Sequence, residues 1–66
     1  MGVPRELRIR VWARRFAQSI PDGLAIPIPD EIIDDLHDDE VQMFFDRLIF
    51  CHNCFQEPNG MWSKIK

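Results

Sequence analysis

The sequence predicts a mainly α fold: a small two-helix domain, or a three-helix one if the second helix breaks, with a proline-rich connecting loop and a C-terminal tail folded onto the core. Three observations carry that expectation. Apolar residues recur at helical spacing in two separate segments. The stretch "PDGLAIPIPD" between them is too rich in proline to continue either helix. A chain of 66 residues supports one small domain, and domains of that size often draw on a metal, a disulfide or a partner subunit.

The first segment, "VPRELRIRVWARRFAQSI", is ambiguous at its start, because Leu7, Ile9 and Val11 alternate with arginines as a strand would. Ile9, Trp12, Ala13, Phe16, Ala17 and Ile20 nevertheless mark one helix face, and Pro4 suits a first helical position with Glu6 in the first turn. A helix over about residues 4–19 follows, with Leu7 and Val11 opposite its main face beside Arg14. Those two are either scattered surface residues or part of a contact surface.

Residues 20–29 form the loop. Pro21-Asp22-Gly23 signals a turn, and Pro27 and Pro29 hold their neighbours extended. The segment is suited to adding an edge strand or covering the core.

The second helix is expected over about residues 31–51, with Asp30 as its N-cap. Ile33, His37, Val41, Phe44, Phe45, Leu48 and Cys51 fall within one arc of about 120°. Ile32, Met43 and Phe50 make a second apolar stripe, with Leu36 between the two. So wide a face needs the tail or another molecule to cover it. Asp34, Asp35, Asp38, Asp39 and Asp46 form a carboxylate strip on the other side. In the tail, residues 52–66, Pro58-Asn59-Gly60 is a turn that would let Met61, Trp62 and Ile65 fold back.

The stretch "FCHNCF" raises the question of chemistry. Zinc takes four Cys or His ligands, and a CxxC turn supplies two. Cys51, Cys54 and His37 are the candidate set, with zinc as the one cofactor considered. His37 precedes Cys51 by 14 residues, which a continuous helix turns into about 21 Å. Such a site therefore needs a second chain, packed antiparallel and crossing near Phe44, or a helix broken at "LHDDE" with Asp38 capping its second part. The competing reading treats both cysteines as small hydrophobic residues. A redox pair is disfavoured, because the motif follows a helix instead of opening one.

Net charge is −3, distributed as +4 over residues 1–20, −8 over 21–50 and +1 over 51–66. Mutual neutralisation of the basic and acidic parts is one reading; display of a charged face to a partner is the other. Arg8, Arg14, Arg15, Asp35 and Asp39 are the candidate charged surface, and the arginines could also contact phosphates. No helix-turn-helix, RNA-binding aromatic motif, phosphate loop or calcium loop accompanies them. No evident nucleophile and base pair exists, so an enzyme is not expected.

The sequence thus points to a soluble, intracellular protein-protein interaction module, an adaptor or regulator. Its partner would be another protein, or a second copy in a homodimer, bound through Leu36, Met43, Phe50, Leu7 and Val11. The alternative is a nucleic-acid-binding regulator using the arginine-rich first helix.

Overall fold

The computed structural model describes Gly2 and residues 4–65. Its elements run α1 (Arg5–Ser19), α2 (Asp30–Asp35), α3 (Asp38–His52), β1 (Cys54–Gln56) and β2 (Trp62–Lys64). The molecule is mainly helical, with α1 packed on α3 and a small two-stranded hairpin at the C-terminal end.

Residues 7–11 are helical, so the alternation of Leu7, Ile9 and Val11 is not that of a strand. Ile9, Ala13, Phe16 and Ala17 are buried on one face, and Ile20 continues it past the helix end. Ile20 turns extended just before Pro21, which cannot extend the helix.

The expected second helix is two helices. After Asp35 the chain becomes extended at Leu36 and His37 and then enters α3. Charge explains the break. In one continuous helix Asp34 and Asp35 would stand one turn from Asp38 and Asp39, and like charges at that spacing repel. Splitting the helix creates a second positive N-terminus, which takes up Asp38, Asp39 and Glu40 in its first turn. Pro29, not Asp30, is the N-cap of α2. His37, not Asp38, is the N-cap of α3.

The core joins Ile9, Ala13, Phe16, Ala17 and Ile20 to Ile32, Leu36, Phe44, Leu48, Cys54 and Trp62. Aromatic rings run through it in sequence. Phe16 meets Phe44 at 6.1 Å between centroids, Phe44 meets Phe45 at 6.1 Å, and Phe45 meets Trp62 at 5.1 Å. Trp12 and Phe45 are half-buried at its edge.

The tail folds onto the core as a hairpin. Asn53 stops α3 in the left-handed conformation, with φ 55°, and its carbonyl accepts from the Ile65 amide at 2.7 Å. Gly60, with φ 92°, turns the chain so that β2 pairs antiparallel with β1. The proline-rich loop supports this hairpin. Ile26 and Trp62 exchange backbone hydrogen bonds at 3.0 and 2.8 Å, an isolated antiparallel bridge on the free side of β2. Among the described residues, no helix is long and apolar enough to cross a membrane.

Candidate functional site

Two regions carry the side chains of interest: the joint where the N-terminal ends of α1 and α3 meet, and the outer face of α3.

At the joint, Glu40 has no exposed surface. It is the third residue of α3, from which its Oε1 accepts the His37 backbone amide at 3.1 Å, while the Glu40 amide donates to the His37 carbonyl at 2.9 Å. Arg8 of α1 donates to Oε2 at 2.9 Å, and the Arg5 guanidinium stands 3.8 Å from the same oxygen. The His37 amide, opposed by burial and aided by Arg8, holds the Glu40 carboxyl below the ordinary carboxylate range. Arg5 also pairs with Asp39 at 3.3 Å. Part of the basic start of the chain is thus spent on its acidic middle. These ion pairs tie α1 to α3, and Arg8 Nε is buried beside them without a hydrogen-bond partner.

The expected charged surface divides accordingly. Arg8 is drawn onto Glu40 and is partly covered, so it is not a free surface cation. Asp39 is exposed but paired with Arg5. Asp35 accepts the Trp12 indole N–H at 2.6 Å, and Arg15 lies 5.4 Å over the same indole ring. Arg14 is exposed.

The proposed metal set is not brought together within this chain. His37 caps the start of α3 while Cys51 lies in its last turn, and α3 is unbroken between them. The break falls before His37, so it cannot return the imidazole to the cysteines. Phe44 itself is fully buried against Phe16, so a second chain crossing near it would meet another face of α3. Among the described residues, no group of three or more His, Cys, Asp and Glu side chains is placed to hold a metal ion.

The two thiols differ. Cys54 is buried under the hairpin and its Sγ lies 3.5 Å from the His52 carbonyl. Burial pushes its pKa up, with Lys64 pulling weakly the other way. A thiol so held stays protonated and is a poor nucleophile. Cys51 is exposed, with Arg47 Nη1 at 3.9 Å from its sulfur. Beside them His52 is favoured in its neutral form, by burial first and then by Arg47, Arg14 and Lys64.

The outer face of α3 is different in kind. Met43, Asp46, Arg47, Phe50 and Cys51 line a shallow open depression there. Phe50 is 80% exposed and Met43 41%. On α1, Leu7 and Val11 are exposed as well, and with Arg8, Trp12, Arg15 and Asp35 they line a second, larger depression. Leu36 does not belong to either surface; only 6% of it is exposed, because the break turns it into the core. The sequence marked Met43 and Phe50 as one stripe but not the Asp46 and Arg47 pair between them. Their spacing of three and four residues from Met43 was the signal available.

Comparison with known proteins returns no matching family model, no matching curated protein and no matching solved structure.

Proposed function

We propose that this chain is a protein-protein interaction module, an adaptor or regulator, whose contact surface is the outer face of α3. The observation that carries the reading is the exposure of Phe50, of which 80% faces water at the end of a well-packed helix. Leaving a phenylalanine outside forgoes about 1.5–3 kcal/mol of burial. Its surroundings suit an interface. Met43 extends the apolar patch by two helical turns, and Asp46 and Arg47 supply opposite charges alongside it. Aromatic and arginine side chains are the residue types that most often anchor protein contacts, and a polar border fixes their orientation. Removing Phe50 should leave the fold intact, because the side chain contributes nothing to the core.

The test is a photo-cross-linkable residue placed at position 50, with the same residue at exposed Leu24 as the control. The reading predicts protein adducts from position 50 that are absent from position 24 and are competed by unlabelled parent protein but not by Phe50→Ala. Equal labelling from both positions would refute it.

A further inference from the structure

We infer that the occupant of this surface is a second copy of the chain, with the two α3 helices packed antiparallel about a two-fold axis between Asp46 and Arg47. The inference rests on the reading of the outer α3 face as the contact surface and names its partner. Its basis is that the face is complementary to itself. Met43, Asp46, Arg47 and Phe50 follow one another at spacings of three, one and three residues, the spacing of a helix-helix seam. Reversing that order about its midpoint sets Asp46 against Arg47 of the second copy and Met43 against its Phe50. Both pairs then occur twice, as two-fold symmetry requires.

Each half of the match is unsatisfied within the chain. Asp46 accepts only from Gln42, at 3.2 Å, and no basic side chain pairs with it among the described residues. Arg47 has no carboxylate partner there either; its nearest polar contact is the Cys51 sulfur at 3.9 Å. Phe50 and Met43 are both exposed, and a thioether meeting an aromatic ring is a favourable contact. The antiparallel arrangement also opposes the two helix dipoles, setting the acidic start of each α3 toward the end of the other. Parallel packing would instead set Asp46 beside Asp46 and Arg47 beside Arg47. The charge pattern therefore selects orientation as well as partner.

Charge reversal tests the register directly. Asp46→Arg presents two arginines to its own copy, and Arg47→Asp presents two acids; neither can self-pair. Mixed together, they restore both ion pairs. Sedimentation equilibrium at chain concentrations up to about 1 mM, where even an association of about 4 kcal/mol is detected, should give a mass that rises toward twice that of the chain for the parent. Each single variant should give the chain mass, and their equimolar mixture a mass that rises as the parent's does. Helical circular dichroism equal to that of the parent shows that the variants are folded. A parent that stays at the chain mass throughout would overturn the proposal, whatever the variants do. So would a mixture of folded variants that stays monomeric. Cross-linking from position 50 separates this failure from that of the broader reading. Adducts at twice the chain mass support the dimer. Adducts only with a different protein overturn the dimer and leave the interaction module standing, and specific adducts with nothing overturn both.

Discussion

At Glu40 a carboxylate sits where an acid is rarely found, and its partners explain why it is tolerated. The His37 amide and the Arg8 guanidinium together supply hydrogen bonds to both oxygens, which a buried charge requires. The pH dependence follows from the sign of the shift. An unfolded chain binds the proton at the ordinary value of 4.5, whereas the folded chain holds off protonation to lower pH. The stabilisation is therefore complete above pH 4.5 and disappears as pH falls through the lowered native value. Glu40→Gln should melt below the parent at neutral pH, and the gap should narrow in acid. Melting curves that stay parallel from neutral to acid pH would show that the charge of Glu40 does not contribute. This residue was not legible beforehand. Periodicity places an acid by its helical angle, and the partner that draws Glu40 inward lies 32 residues away on α1.

The same contrast between near and distant information holds for the elements. The segment α1 was legible because Pro4, one apolar face and Pro21 bound it locally. The division of the second helix was open as an alternative, and its placement depended on where five neighbouring acids could best be accommodated. Its consequence for the site was large. Leu36 moved from a contact residue to the core, and His37 became a cap at the far end from Cys51. Cys51 was expected inside by angle, yet the hairpin covers the Phe45 side of α3 and leaves Cys51 in water. His37 and Glu40 already form a capping box, but histidine is a weak N-cap and serine a strong one in the same box. His37→Ser should therefore stabilise the protein by about 0.5–1 kcal/mol, read from chemical denaturation without added metal. Loss of stability that appears only with zinc present would instead assign the imidazole to a metal.

Across the whole molecule, two phenylalanines on one helix serve opposite purposes. Phe44 joins α1 to α3, and Phe45 beside it carries the ring contacts on to the hairpin. Phe44→Ala should cost about 3–5 kcal/mol, which approaches the whole stability of a domain this small. Phe50→Ala, at an exposed position, should change the stability of the single chain by no more than about 0.5 kcal/mol. The general plan of helices, loop and returning tail was visible in the pattern of apolar residues and prolines. The separation of core from surface on α3 was visible only in part, since Met43 and Phe50 were marked as a stripe without anything to say that it would stay uncovered. Pairing of two copies through the outer face of α3 is the central claim, and backbone amide chemical shifts followed over a concentration series test it most directly. The account predicts concentration-dependent shifts centred on Met43, Asp46, Arg47 and Phe50, with Leu7 and Val11 unmoved. Shifts centred on Leu7 and Val11, or none at any concentration, would contradict it.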